Sequence, residues 1–149
     1  MAPFRPVPAR VPHQLPQQVV NATVLLVDDS EHLLRVLELY FQGLGLGVLT
    51  ASSGKAALEQ VASGRPDAVV LDVMMPDING IEVCRRTRAN KRSQATPVVI
   101  LTANPAYEAP AARAGADRFI TKPFSLEALS ETIGQLVGWD PVSQAEALA

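Results

Sequence analysis

The sequence predicts a parallel α/β fold in which five strands alternate with five helices. Three short apolar runs rich in β-branched residues are typical of parallel strands that helices cover on both faces. They are Thr23–Val27 (TVLLV), Ala68–Leu71 (AVVL) and Val98–Leu101 (VVIL). The segments between them carry apolar residues at spacings of three and four, which indicates amphipathic helices. Strands and helices that alternate in this way form a sheet with right-handed crossovers.

The remaining elements carry weaker or more local signals. Gly47–Ala51 and Arg118–Thr121 are short segments with strand character. Apolar stripes mark the first and last helices, through Leu33, Leu37, Tyr40 and Leu44 in the first and Leu126, Leu129, Ile133 and Leu136 in the last. Ser30 and Ser125 precede these stripes. We predict that both are N-caps, because a serine hydroxyl can accept a hydrogen bond from a free N–H of the first turn.

Length and composition are those of an ordinary globular domain. The chain has 149 residues, of which 48% are hydrophobic and 19% are charged, as in typical soluble proteins. Its single cysteine excludes an internal disulfide framework and favours a reducing compartment. The apolar runs are far shorter than the roughly 20 residues that span a membrane, and no secretion signal is recognisable. We therefore expect a cytoplasmic protein with no membrane contact.

The chain divides into three predicted segments. Residues 1–22 hold five of the 12 prolines and few large apolar residues, so we expect a disordered extension. A single domain occupies 23–138, and 139–149 form a short tail with no effector domain. The net charge of −2 is uneven, because the extension carries Arg5 and Arg10 and no acid. The rest of the chain is therefore more acidic than the total suggests.

Charged and hydroxyl side chains follow the ends of four predicted strands. Asp28 and Asp29 follow the first strand, Asp72 the third, Thr102 the fourth and Lys122 the fifth. Because ligands of open parallel sheets bind outside the carboxyl ends of the strands, we expect these side chains to converge. Two like charges about 4 Å apart repel by roughly 4 kcal/mol at an effective dielectric near 20. One lysine cannot neutralise three carboxylates, so we expect the cluster to bind an additional cation.

A hard divalent cation with phosphoryl chemistry suits this set of residues. Mg²⁺ commonly binds one or two carboxylates and keeps other coordination positions open. Thr102 can donate a hydrogen bond to a phosphoryl oxygen, and Lys122 can pair with another. Asp72 is a chemically reasonable nucleophile, because a carboxylate can form an aspartyl-phosphate.

Four motifs resemble the receiver domain of bacterial two-component response regulators. They are VLLVDDS (Val24–Ser30), VVLDVMMPDINGIEVCRRTR (Val69–Arg88), PVVILTA (Pro97–Ala103) and GADRFITKPF (Gly115–Phe124). The resemblance runs from about Thr23 to Val137 and is to the single-domain type. It implies a flavodoxin-like, CheY-like doubly wound sheet with strand order 2-1-3-4-5.

The resemblance also implies a phosphoacceptor and a metal site. Asp72 would take a phosphoryl group from a sensor histidine kinase or a histidine phosphotransfer protein. Asp28, Asp29, Asp72 and the backbone carbonyl of Met74 would bind Mg²⁺ or Mn²⁺.

A switch is implied by the same resemblance. Thr102 would turn toward the phosphoryl group, and Phe119 would turn inward as Thr102 moves. Lys122 would hold a phosphoryl oxygen, and the Lys122–Pro123 bond matches the family's cis-proline position. A local charge event would thus bias a packing element with two states and change the binding of an unidentified protein target.

Two departures from the family pattern lead to more specific predictions, one for the lifetime of the phospho-form and one for the fourth helix. Met74, two residues after Asp72, offers no polar group that would orient an attacking water, so we expect a long-lived phospho-form. Thr102 to Gly115 is a short interval that contains Pro105 and Pro110. Since proline interrupts helices, we expect the fourth helix to be short, displaced or frayed.

The predicted partners are proteins. Arg118 and Thr132 replace charges that pair in the usual dimer of transcription-factor receivers, so we expect a monomer or an atypical dimer. Five cations cluster at the end of the third helix: Arg85, Arg86, Arg88, Lys91 and Arg92. The acidic body and the lack of interleaved aromatics argue against DNA binding. Docking of an acidic partner suits the cluster better.

Three functional hypotheses follow. The first is a switch that changes its protein partner on phosphorylation. An alternative is a phosphorelay shuttle that passes the phosphoryl group to a histidine phosphotransfer domain. An aspartyl-phosphate phosphatase is disfavoured, because such enzymes carry a second Asp where this chain has Met74. We therefore expect no enzyme activity beyond the protein's own phosphorylation and dephosphorylation.

Overall fold

Five parallel strands and five helices form the fold of this protein, whose computed structural model describes residues 22–140. The elements are β1 (Thr23–Val27), α1 (Glu31–Gly43), β2 (Gly47–Ala51), α2 (Gly54–Gly64), β3 (Ala68–Leu71), α3 (Gly80–Ala89), β4 (Val98–Thr102), a 3₁₀ turn (Pro105–Tyr107), α4 (Glu108–Ala114), β5 (Arg118–Thr121) and α5 (Leu126–Val137). The strand order is β2-β1-β3-β4-β5. The predicted doubly wound sheet is confirmed.

Two core layers cover the two faces of the sheet. Successive residues of a strand point to opposite faces, so Leu25 packs in one layer and Leu26 in the other. The first layer contains buried side chains of α2, α3 and α4, and the second those of α1 and α5. The central strands are therefore covered on both sides, which explains their continuous apolar sequences.

Local signals fix the ends of the first and last helices. The hydroxyl of Ser30 accepts a hydrogen bond from the N–H of Leu33 at 3.2 Å. That of Ser125 accepts one from Ala128 at 3.0 Å. Both predicted N-caps are confirmed.

The fourth helix is short, as the two prolines predict. Pro105 opens the 3₁₀ turn, and α4 has only seven residues. Pro110 lies in the first turn of α4, where a backbone N–H has no partner within the helix. The prolines thus shorten the helix without leaving a broken hydrogen bond inside it.

The packed core includes one residue on each side of the predicted 23–138 domain. Ala22 is buried, and its carbonyl accepts a hydrogen bond from Gly47 at 2.9 Å. Trp139 is only 2% exposed and packs in the layer formed by α1 and α5. The rest of the predicted extension and tail, 1–21 and 141–149, lies outside the described residues. Within 22–140 no helix is long and apolar enough to cross a membrane.

Candidate functional site: an acidic cluster at the carboxyl edge of the sheet

Three carboxylates lie together at the carboxyl edge of the sheet. Asp28 is 4% exposed and Asp72 is 7% exposed, whereas Asp29 is exposed to solvent. One carboxylate oxygen from each lies within 4.8 Å of the other two. Side chains from two separate strand ends are thus brought close enough to share one ligand.

The parallel register explains this proximity. Val27 of β1 pairs with Leu71 of β3, so the residues that follow, Asp28 and Asp72, leave the sheet side by side. The N–H of Asp72 donates to the carbonyl of Val27 at 3.0 Å, and that of Asp28 donates to Ala51 at 3.2 Å. The backbone of both aspartates is therefore anchored to neighbouring strands.

Lys122 reaches the same place from the other side. Thr102 pairs with Thr121 at the end of β5, and the N–H of Lys122 donates to the Thr102 carbonyl at 2.9 Å. Its Nζ lies 2.7 Å from Asp28 Oδ2 and 3.2 Å from Asp72 Oδ2. The peptide bond between Lys122 and Pro123 is cis.

The environment keeps Lys122 positively charged. Burial by itself lowers the pKa of an ammonium group, but the hydrogen bond to Asp28 and the charges of Asp28 and Asp72 outweigh it and raise the pKa of Lys122. Lys122 is therefore a fixed cation rather than a proton donor near neutral pH.

The cluster has the chemistry of a divalent cation site. Three carboxylates and one ammonium leave two negative charges, and every candidate ligand atom is a hard oxygen. Hard divalent cations bind such oxygens, so the residues present fit Mg²⁺. Met74, the fourth predicted ligand, donates its own N–H to Asp72 Oδ1 at 3.3 Å, and its side chain is 58% exposed.

Thr102 supplies an unsatisfied hydroxyl beside this cluster. Its side chain is fully buried, and its Oγ1 has no hydrogen-bond partner among residues 22–140. Buried polar groups are usually paired, because an unpaired one has lost its hydrogen bonds to water without replacement. The hydroxyl is therefore available to an acceptor that enters the site.

Comparison with known proteins assigns the family. A model of the response regulator receiver domain matches residues 24–134. The chain belongs to this family.

Curated and solved receivers resemble the chain closely. It is 39% identical over 108 residues to the alkaline phosphatase synthesis transcriptional regulatory protein PhoP of Bacillus subtilis, covering 71% of this chain and 44% of PhoP. The chain spans about half the length of the curated relatives it matches.

Two solved structures are similar over most of the receiver. The chemotaxis protein CheY4 of Vibrio cholerae matches with a TM-score of 0.74 and 31% identity, over 78% of this chain and 99% of CheY4. The response regulator TrrA of Thermotoga maritima, solved with Mg²⁺ and BeF, matches with a TM-score of 0.71 and 32% identity, over 77% of this chain and 98% of TrrA.

The predicted switch residue Phe119 lies in β5, at the edge of the sheet beside β4. Phe119 pairs with Ile100 of β4, two residues before Thr102. Its ring is partly buried and packs at the border of the layer formed by α2, α3 and α4. As a phenylalanine it carries no hydroxyl that could form a hydrogen bond.

Two residues that support the receiver site were missed by the sequence analysis. Asp77, in the loop after β3, accepts hydrogen bonds from the N–H groups of Gly54 and Lys55 at 2.9 Å each. Tyr107 brings its hydroxyl to 3.5 Å from the sulfur of Met74. Both contacts join residues more than 20 positions apart, and no local sequence pattern predicts such contacts.

A glycine allows the start of α3 to lie close to the backbone of Asp72. A Cβ at Gly80, the first residue of α3, would collide with the carbonyl oxygen of Asp72. Asn79 caps the same helix by accepting from the N–H of Glu82 at 2.9 Å. The Asn79–Gly80 pair thus starts α3 directly against the backbone of Asp72.

Proposed function

We propose that this receiver domain is a cytoplasmic signalling switch that takes a phosphoryl group from a sensor histidine kinase, or from a histidine phosphotransfer protein, onto Asp72. The observation that carries the proposal is the acidic cluster with a charged lysine and an unpaired buried hydroxyl around it. One carboxylate of the cluster acts as nucleophile, and the other two would help to hold a divalent cation. Lys122 and the Thr102 hydroxyl can each bind a phosphoryl oxygen.

The chemical step is a transfer between two side chains. A carboxylate oxygen of Asp72 attacks phosphorus, the P–N bond of the donor phosphohistidine breaks, and the imidazole nitrogen leaves with the electron pair. Asp28, Asp29, Asp72 and the Met74 carbonyl would hold Mg²⁺ or Mn²⁺, which neutralises charge that develops on the transferred group. Lys122 lies 3.2 Å from Asp72 Oδ2, where its ammonium stabilises a phosphoryl oxygen. We propose no activity beyond the protein's own phosphorylation and dephosphorylation.

The switch is proposed to run through Thr102 and Phe119. A phosphoryl oxygen gives the Thr102 hydroxyl the acceptor that it lacks among residues 22–140. Movement of Thr102 toward that oxygen changes the packing beside Phe119 on the neighbouring strand. The output surface near α4 and β5 then differs between the two states, and a protein partner reads the difference.

Arg118 and Thr132, which stand at positions of the usual receiver dimer face, both form hydrogen bonds within the chain. Arg118 donates to the carbonyl of Asp117 at 2.7 Å, and the Thr132 hydroxyl donates to the Ala128 carbonyl at 2.9 Å. We propose that the protein is a monomer or an atypical dimer and that it signals through a protein partner rather than through DNA.

Phosphorylation by a small phosphodonor tests the proposal. The full chain is incubated with acetyl phosphate with and without Mg²⁺, and its mass is measured. We expect the wild type and an exposed control, Glu59→Gln, to gain one phosphoryl group only with Mg²⁺. Asp72→Asn is expected to gain none. A wild type that is never modified, or an Asp72→Asn variant modified as readily, would contradict the proposal.

The phosphorylated protein also separates the switch from the relay. It is mixed with histidine phosphotransfer domains, and transfer of the label is followed. A switch retains its phosphoryl group or loses it to water, whereas a relay passes it to a histidine.

A further inference from the structure

A cavity lies at the edge of the sheet opposite to Asp72. It has a volume of about 410 Å³ and is lined from one side by Val61, Ala62, Arg65 and Pro66 and from the other by Arg92, Ser93 and Thr96. These residues belong to the end of α2 and to the loops that lead into β3 and β4. The volume lies in the range of small-ligand sites, roughly 300–1,000 Å³.

The cations near this cavity fall into two groups. Arg85 and Arg86 both bond the carboxylate of Glu82, and Arg88 bonds that of Asp117. Arg65 and Arg92, which line the cavity, have no carboxylate within 4.0 Å in the part of the chain that the structure describes. The cavity is therefore lined by two arginines that no carboxylate of residues 22–140 neutralises.

The backbone fixes Arg65 at the rim of the cavity. Arg65 has φ 46° and ψ 58° and is the only non-glycine residue in 22–140 with positive φ. Gly64 precedes it as the last residue of α2, and Leu49 packs closely there, since its Cδ1 would lie 2.5 Å from an added Cβ. The left-handed turn therefore falls on an arginine, a costly conformation that often marks functional positions.

The chemistry of the lining favours a carboxylate over other anions. Guanidinium groups bind carboxylates through paired, charge-assisted hydrogen bonds. The C-terminal ends of α2 and α3 point their partly negative carbonyls toward this edge, which disfavours a dianion more than a single carboxylate. No aromatic side chain lines the cavity for a nucleobase to stack on, and Val61, Ala62 and Pro66 provide an apolar wall.

We propose that this cavity binds a carboxylate side chain of an acidic peptide segment on a partner protein, held between Arg65 and Arg92. The apolar wall receives the methylene groups of the acidic side chain or a small apolar neighbour. The chain as a whole carries a net charge of −2, whereas Arg65 and Arg92 place two positive charges beside this cavity, which favours docking of an acidic segment here. The site is independent of phosphorylation at Asp72, which lies at the other edge of the sheet.

An NMR titration of the full-length ¹⁵N-labelled protein tests the proposal with a minimal probe. N-acetyl-glutamate N-methylamide is added into the high-millimolar range, and inorganic phosphate is used in a parallel titration. We expect saturable shifts of the amide signals of Arg65, Arg92, Ser93 and Thr96. The Arg65→Gln/Arg92→Gln double variant is expected to bind the probe about tenfold or more weakly, because it loses charged hydrogen bonds.

The matched control neutralises arginines that already have a partner. Arg85→Gln/Arg86→Gln removes the same number of charges from α3 and is expected to leave probe binding unchanged. Arg92→Gln alone, an exposed position, provides a second reading if the double variant is unstable. Shifts that do not saturate, an equal loss in the control, or tighter binding of phosphate than of the glutamate probe would overturn the proposal.

Discussion

The two edges of the sheet both bury charged side chains, but they balance them differently. At the amino edge, Arg88 donates to Asp117 Oδ2 at 2.6 Å, to the Gly115 carbonyl at 2.9 Å and to the Thr96 carbonyl. The same Asp117 oxygen accepts from the N–H of Val98 at 2.8 Å. The guanidinium and the carboxylate thus pair with each other, and both also bond backbone groups.

The carboxyl edge of the sheet carries excess negative charge. Three carboxylates share one ammonium there, and a buried hydroxyl lacks a partner among the described residues. The contrast teaches that burial of charge does not by itself mark a functional site. A matched pair holds the fold together, whereas an unmatched set indicates a ligand.

Removing one member of the matched pair has the largest expected effect on stability. Arg88→Met keeps the apolar stem but leaves Asp117 buried without its cation, which typically costs about 3–5 kcal/mol. Urea unfolding measures the loss. Arg86→Met, which breaks an exposed pair with Glu82, is the control and is expected to cost about 1 kcal/mol or less. If both variants lost the same free energy of unfolding, the buried pair would be no more important to stability than the exposed one.

Divalent cations are expected to stabilise only the unmatched edge. At a Mg²⁺ concentration 100 times its Kd, wild-type protein gains about 2.7 kcal/mol of unfolding free energy. Asp29→Asn should lose most of this gain, while Arg88→Met should retain it despite its lower stability. Urea unfolding with and without Mg²⁺ provides the measurement, and a gain that survives in Asp29→Asn would count against the site.

The residue at position 74 is expected to set how long the protein stays phosphorylated. Met74, whose backbone N–H donates to Asp72 Oδ1 at 3.3 Å, carries a thioether rather than a polar amide, and its sulfur lies 3.5 Å from the Tyr107 hydroxyl. Met74→Asn should accelerate loss of the phosphoryl group by up to about tenfold, equivalent to about 1.4 kcal/mol in the barrier, because an amide can orient an attacking water. Met74→Leu, which remains apolar, should decay slowly. Unchanged or slower decay in Met74→Asn would contradict the expectation.

The smallest expected effect is on the pH dependence of stability and comes from Asp77. This carboxylate lies at the carboxyl edge of the sheet, but its hydrogen bonds hold the start of α2. Hydrogen bonds from the N–H groups of Lys55 and then Gly54 lower the pKa of Asp77 from 3.8 to about 2. Its contribution to stability is therefore complete above pH 3.8 and is lost as the pH falls through about 2. Urea midpoints in this window should depend less on pH in Asp77→Asn than in wild type or Glu59→Gln. If the urea midpoints of all three proteins depended on pH in the same way, the Asp77 carboxylate would not stabilise the fold as expected.

Much of the fold and the candidate site is readable from the sequence, since both follow from regular repeats. The strand and helix periods predict the element order, and the rule that parallel strands end at one edge predicts that Asp28, Asp72 and Lys122 meet. Pro105 and Pro110 predict the short fourth helix through their missing N–H groups.

Contacts between distant residues are what the sequence does not predict. Asp77 caps a helix that begins 23 residues earlier, and Arg88 pairs with Asp117 across 29 residues. Trp139, assigned from the sequence to the tail, is buried in the core. Nothing in local spacing distinguishes these side chains from ordinary surface residues, because their partners are set by how the elements pack.

A crystal structure of the full chain with Mg²⁺ and beryllofluoride would test the proposed phosphoryl and metal site. We expect a beryllofluoride group on the carboxylate of Asp72 and a Mg²⁺ bound by the Asp28, Asp29 and Asp72 cluster. The Thr102 hydroxyl and the Lys122 ammonium should point to the fluorines of the beryllofluoride. Beryllofluoride on another side chain, or a metal bound away from the three carboxylates, would contradict the proposal.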